Sequence, residues 1–232
     1  MAGTPILMIP GINATARAFA PEMDTLYRFG AVMIADHRQG ATMRDMAASI
    51  LANAPPRFVL GGYSMGGYVA FEILRQAPAR VEKLMLIDTA ARPDTPEATA
   101  NRRKGMELAR SGKLTLAAAS TFPNAVHPSN TGNAELKAIH LAMAEANGVD
   151  AYLNQQEAII SRPDSRPDLA RTRVPTLVTV GDSDQITPPE VAREVAEGIA
   201  GAKLVVIAKA GHLALLEEPD QMNAALSSFL TA

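Results

Sequence analysis

The chain has 232 residues, 47% of them apolar and 20% charged, a balance that excludes the disordered, collagenous and membrane-embedded classes. A formal net charge of -2 leaves no basic footprint for nucleic acid, and the absence of cysteine excludes disulfides, thiolate nucleophiles and Cys-ligated zinc. This length suits one large domain spanning residues 1–232 with a well-buried core.

At the start, Met1-Ala2-Gly3-Thr4-Pro5 lacks the basic region of a signal peptide, and the apolar run Ile6–Ile9 is short. No stretch approaches the roughly 20 apolar residues of a membrane span, so no membrane span and a cytoplasmic location are expected. Short apolar runs then alternate with helical patterns. Strands are expected at Ile6–Ile9, Ala31–Ala35, Arg57–Leu60, Leu84–Ile87, Leu177–Val180 and Leu204–Ile207. Helices are expected near Arg17–Phe29, Thr42–Ala54, Gly66–Gln76, Pro188–Ile199 and Pro219–Phe229. Thr187 reads as the N-cap of the fourth of these, with Pro188 at its first position and Glu190 closing a capping box. Between Ala90 and Arg166 the alternation stops, and helices are expected at Asn101–Arg110, Leu114–Ser120, Asn133–Asn147 and Ala151–Ile160. The pattern predicts an α/β fold, with a mostly parallel sheet of about six strands flanked by helices and a helical insertion over residues 90–166.

Chemistry concentrates at Gly62-Tyr63-Ser64-Met65-Gly66, between a strand and a helix. A turn this sharp strains its central residue and needs small residues two before and two after it, which Gly62 and Gly66 supply. In a chain of this composition the Gly-x-Ser-x-Gly pattern arises by chance only about 0.05 times. Ser64 is therefore the candidate nucleophile. The Gly cluster lacks the Gly-Lys-Ser/Thr ending of a phosphate loop and the spacing of a dinucleotide site.

A serine hydroxyl needs a base, and the base an orienting acid. His212 follows the last expected strand, at the sheet end where Ser64 emerges. His37 precedes the nucleophile, and His127 and His140 fall in the insertion; of these, His37 and His127 are candidates for lining a pocket. For the acid, Asp184 is the better candidate, with Asp88 and Asp182 as alternatives; Asp182 also suits a turn-forming role. A tetrahedral intermediate further needs two N–H donors, each worth about 10²–10³ in rate. Met65 supplies the first, and Ile12, in the loop Pro10-Gly11-Ile12-Asn13, is the expected second.

Pro10-Gly11-Ile12-Asn13, Gly62-Tyr63-Ser64-Met65-Gly66-Gly67, Gly181-x-x-Asp184 with Pro188, and Gly211-His212 with Glu218-Pro219 together resemble the α/β-hydrolase superfamily over nearly the whole chain. The Ser-Met-Gly-Gly elbow looks like that of small bacterial esterases, carbon–carbon bond hydrolases and cofactor-free perhydrolases. The resemblance implies an α/β-hydrolase fold, an insertion at Ala90–Arg166 that caps the acyl or alcohol pocket, and a Ser64–His212–Asp184 triad. It implies a carboxylic ester hydrolase with a small-molecule ester substrate and no metal or organic cofactor. The alternatives are carbon–carbon, lactone or thioester hydrolysis, or a ligand receptor with little turnover. Two motifs depart from the family pattern: Pro10-Gly11 stands for the usual His-Gly, and Asp36-His37-Arg38-Gln39-Gly40 for the usual Asp-x-Arg-Gly-x-Gly.

Overall fold

The computed structural model describes residues 3–232; residues 1 and 2, which the expected domain includes, lie outside the described residues. Six strands form one sheet in the order β2-β1-β3-β4-β5-β6: β1 Ile6–Ile9, β2 Val32–Ile34, β3 Phe58–Tyr63, β4 Val81–Ile87, β5 Thr176–Gly181 and β6 Lys203–Ile207. Every neighbouring pair is parallel. Adjacent side chains of a strand face opposite ways, so a doubly covered sheet fills two cores. Leu7 and Ile9 of β1 join Leu60, Leu86 and Val180 on one face. Ile6 and Met8 join Met85, Ile87 and Ile207 on the other.

The first face is covered by α2 Met43–Asn53, α3 Met65–Gln76 and α7 Pro189–Gly198, and the second by α1 Met23–Tyr27, α8 Ala214–Glu217 and α9 Pro219–Thr231. The helix expected over Arg17–Phe29 is instead a 3-10 turn, Ala16–Glu22, followed by the short α1. Pro21 has no N–H for an i→i−4 bond, so α-helical bonding starts only beyond it.

Between β4 and β5 lie α4 Pro96–Arg110, α5 Leu114–Ala125 and α6 Ala134–Ile160. Thr95 caps α4, its hydroxyl accepting from the Ala98 N–H at 3.1 Å, so this helix starts five residues before the expected Asn101. The two helices expected at 133–147 and 151–160 are the two halves of α6, which meet at Gly148, where a φ of 79° and ψ of 173° that only glycine adopts readily break the helix. Within the insertion Asp94 receives the guanidinium groups of Arg102 at 2.6 Å and Arg162 at 2.5 Å, tying the start of the segment to α4 and to its end. The Arg162 guanidinium also stacks 4.3 Å over the Tyr68 ring on α3. Among the described residues, no helix is long and apolar enough to cross a membrane.

Candidate active site

Five strand ends converge on the site. β3 hands Ser64 to α3 with φ 52° and ψ −115°, a strained geometry held by main-chain bonds on both sides. The Ser64 N–H donates to the Ile87 carbonyl at 2.9 Å, and its own carbonyl accepts the Thr89 hydroxyl at 2.7 Å. The elbow is too tight for larger residues. A Cβ on Gly62 would lie 2.5 Å from the Gly66 carbonyl oxygen, and one on Gly66 would strike the Ile9 carbonyl. The glycines expected from the sequence are therefore required by space.

Ser64, His212 and Asp184 are all buried. The Ser64 Oγ stands 2.8 Å from His212 Nε2, and His212 Nδ1 stands 2.8 Å from Asp184 Oδ2. A carboxylate only accepts, so Nδ1 carries the proton and Nε2 is left to accept from the serine hydroxyl. The geometry fits a Ser–His–Asp triad. Asp184 is itself fixed: Oδ1 accepts from the N–H groups of Ile186 at 2.8 Å and Thr187 at 2.9 Å, and Oδ2 accepts the Thr187 hydroxyl at 2.8 Å. Burial alone would raise the Asp184 pKa. The His212 charge and hydrogen bond, with the two N–H donors, outweigh it and hold the carboxyl below its ordinary value.

That use of Thr187 corrects the capping expectation. Helix α7 begins at Pro189, with Pro188 as an N-cap making no side-chain bond. A residue preceding proline is driven to extended backbone, and Pro188, at φ −58° and ψ 158°, sits there. Helix initiation therefore moves one residue on, and the Thr187 hydroxyl turns to Asp184.

The other acids are occupied elsewhere. Asp182 accepts from the Lys209 N–H at 2.9 Å and from the Ser183 hydroxyl at 2.9 Å, bridging β5 to the loop after β6. Asp88 has no exposed surface; its Oδ1 accepts the Gly181 N–H at 3.0 Å and its Oδ2 has no partner. Burial pushes its carboxyl well up, and the Asp184 charge adds to this, so the surroundings disfavour a charge on Asp88 and favour one on Asp184.

The loop after β1 packs against Ser64, where a Cβ on Gly11 would lie only 3.1 Å from the Ser64 Cβ. The loop is a turn closed by the Ala14 N–H on the Gly11 carbonyl at 3.1 Å, with Asn13 at φ 57°. His37 is buried beneath it, and its Nε2 lies 2.9 Å from the same carbonyl. A carbonyl only accepts, so Nε2 donates. Burial lowers the His37 pKa, with the Gly11 bond opposing, so the ring stays neutral and acts as a prop for the loop. His127 and His140 do not join the triad: His127 Nδ1 pairs with the Ser129 hydroxyl, and His140 Nε2 donates to the Ala118 carbonyl at 3.1 Å.

Sequence reasoning missed the side chains that brace these loops. The Tyr63 hydroxyl donates to the His212 carbonyl at 3.0 Å. Glu217 joins the His212 loop to the insertion, accepting from the N–H groups of Gly211 and His127, each at 2.7 Å, and from Asn130 Nδ2 at 2.9 Å. On the other side, Gln155 and Asn147 of α6 bond the loop after β1. Most of these bonds meet main-chain atoms far away in sequence, which leaves no local pattern to find.

The family model described as alpha/beta hydrolase fold matches residues 4–219. A pimeloyl-(acyl-carrier protein) methyl ester esterase of Pectobacterium atrosepticum is 30% identical, over 82% of this chain and 76% of its own length. The AB hydrolase superfamily protein YisY of Bacillus subtilis is 30% identical, over 98% of this chain and 91% of its own. The solved structure of a thermophilic esterase from Thermogutta terrifontis superposes with a TM-score of 0.89 at 31% identity, over 99% of this chain and 90% of that one. The strained serine elbow, the six parallel strands and these matches agree: the chain belongs to the α/β-hydrolase family.

Proposed function

We propose that the chain is a carboxylic ester hydrolase acting through an acyl-enzyme on Ser64. The observation that carries this reading is the unbroken relay from Ser64 Oγ through His212 to Asp184, with both contacts at 2.8 Å. His212 Nε2 takes the hydroxyl proton as Ser64 Oγ bonds to the ester carbon. Asp184 holds the imidazole in the accepting tautomer and stabilises the imidazolium. The carbonyl oxygen gains negative charge, which the N–H groups of Met65 and Ile12 receive. Met65 opens α3, where an N–H has no intrahelical partner. The imidazolium returns its proton to the departing alkoxide. His212 then takes a proton from water as the water oxygen bonds to the acyl carbon; the imidazolium returns that proton to Ser64 Oγ as the acyl–oxygen bond breaks, releasing the carboxylic acid and restoring the free serine and neutral histidine. This chemistry needs no metal or organic cofactor.

In this reading residues 1–232 form one domain, with 90–166 as the cap over a small-molecule ester. Esterase relatives at about the 30% level support the ester class. The same relay would open a lactone or a thioester, so the substrate is set by the cap. A panel of p-nitrophenyl esters, lactones and thioesters, run beside Ser64→Ala, tests the proposal. Ester turnover should fall by orders of magnitude in the variant. Near wild-type turnover by Ser64→Ala would sink the mechanism, and fluorophosphonate labelling of Ser64 without turnover of any substrate would favour a receptor.

A further inference from the structure

The loop proposed to supply the second oxyanion donor carries three side-chain bonds on its peptide groups between Gly11 and Ala14, two of them from the helical insertion. His37 Nε2 donates to the Gly11 carbonyl at 2.9 Å. Gln155 Oε1 accepts the Asn13 N–H at 3.0 Å across 142 residues of sequence. Asn147 Nδ2 donates to the Ala14 carbonyl at 2.9 Å across 133 residues. The Ile12–Asn13 peptide is thus held through its own N–H, and the preceding Gly11–Ile12 peptide, which carries the Ile12 N–H, is held through its carbonyl by His37 and by the turn bond from the Ala14 N–H.

Gln155 is the unusual member. It has no exposed surface, and among the described residues its Nε2 meets no hydrogen-bond acceptor. Asn13 Oδ1 is buried without a partner as well. A donor left in that state costs stability, whereas an apolar side chain of the same length would fill the space without that cost. A glutamine here is therefore poorly explained by packing alone. What it does provide is an acceptor, fixed by a buried helix, on the peptide next to the proposed donor.

We infer that Gln155 is a positioning residue for catalysis: the insertion aims the Ile12 N–H at the oxyanion by holding the Asn13 N–H. This inference rests on the hydrolase reading above. Small misplacements of a reacting geometry cost up to about 100-fold in rate. Loss of the Gln155 contact should therefore lower kcat while leaving ground-state binding nearly unchanged.

The test is Gln155→Met, assayed on a p-nitrophenyl ester and against an alkyl boronic acid that forms a tetrahedral adduct at the serine. We expect kcat to fall about 10- to 100-fold with KM within about threefold. The boronate Ki should weaken by a factor similar to that of kcat, and the melting temperature should hold within a few degrees. Gln156→Met removes the neighbouring amide, which bonds Tyr152 and Arg102 away from the loop, and should leave kcat unchanged. If Gln155→Met does not fold, Gln155→Asn withdraws the acceptor by one methylene and should give the same split. Unchanged kcat and boronate affinity in a folded variant overturn the inference, as does a rise in KM and loss of stability at constant kcat. Fluorophosphonate separates the two levels. If it fails to label wild-type Ser64, the hydrolase reading falls; if it labels Ser64 and the Gln155 variants turn over normally, only this inference falls.

Discussion

The Tyr63 hydroxyl donates to the His212 carbonyl at 3.0 Å, so the residue before Ser64 holds the main chain of the proposed base. Its ring packs edge-on to Phe19 with centroids 6.4 Å apart, and both rings lie in the same core. Tyr63→Phe keeps the packing and strands the carbonyl, a change worth about 1–3 kcal/mol. Thermal unfolding should show a loss of about 2–4 °C per kcal/mol at this chain length. Ester turnover should fall less than about tenfold, because the imidazole keeps both of its side-chain contacts.

Asp184 and Asp88 are adjacent acids with opposite roles, and matched amide substitutions should separate them. Asp184→Asn replaces the acceptor at His212 Nδ1 with a group that favours the wrong tautomer, and kcat should drop about 10⁴-fold. Asp88→Asn keeps an oxygen for the Gly181 N–H and places a neutral group where burial disfavours a charge, so kcat should stay within about threefold. Equal losses in the two variants would remove Asp184 from its proposed role.

Glu22 sits at the end of the 3-10 turn with no exposed surface, and among the described residues neither carboxylate oxygen hydrogen-bonds another residue. Burial pushes its pKa from 4.5 to about 8. Between those values the folded chain keeps a proton that the unfolded chain has released. Glu22 therefore makes stability fall as pH rises through this window and level off above it. Asp184, with its depressed pKa, acts oppositely: its contribution is present above the unfolded carboxylate pKa and is lost as pH falls through the folded one. Glu22→Gln should raise the melting temperature clearly at pH 8 and little at pH 5. A gain independent of pH would show that Glu22 is not protonated in the fold.

Gly148→Ala isolates backbone strain. A Cβ there meets nothing within 4 Å, so only the conformation at φ 79° resists the change. Strain of this kind costs about 1–3 kcal/mol, readable by chemical denaturation. Cost-free replacement would mean that the bend in α6 relaxes easily.

The sequence revealed the elements whose signals are local. Six apolar runs became six strands, because a strand buried on both faces must be apolar throughout. Ser64 was legible because the strained turn admits only glycine around it. Asp184 and His212 were legible because each follows a strand and ends at the same rim of the sheet. Thr187 shows the limit. A threonine before two prolines suits a helix cap, yet its one hydroxyl could serve the helix or Asp184, and only the Pro188-Pro189 pair tilts the choice. His37, Tyr63, Glu217 and Gln155 were not legible as braces, because each binds main-chain atoms that no pattern of side chains marks.

The insertion grips the catalytic loops from both flanks. The Ala125 carbonyl receives the Leu213 N–H at 2.9 Å, and Gln155 accepts the Asn13 N–H at 3.0 Å. Chimeras that exchange this segment between relatives to change their substrate range must therefore carry more than a pocket lining. A graft with an unsuited residue at position 155, or a displaced turn near position 125, would bring a new binding surface to an unmoored reaction centre. The recombination joints belong in the segments flanking residues 90–166, with both anchoring positions retained inside them.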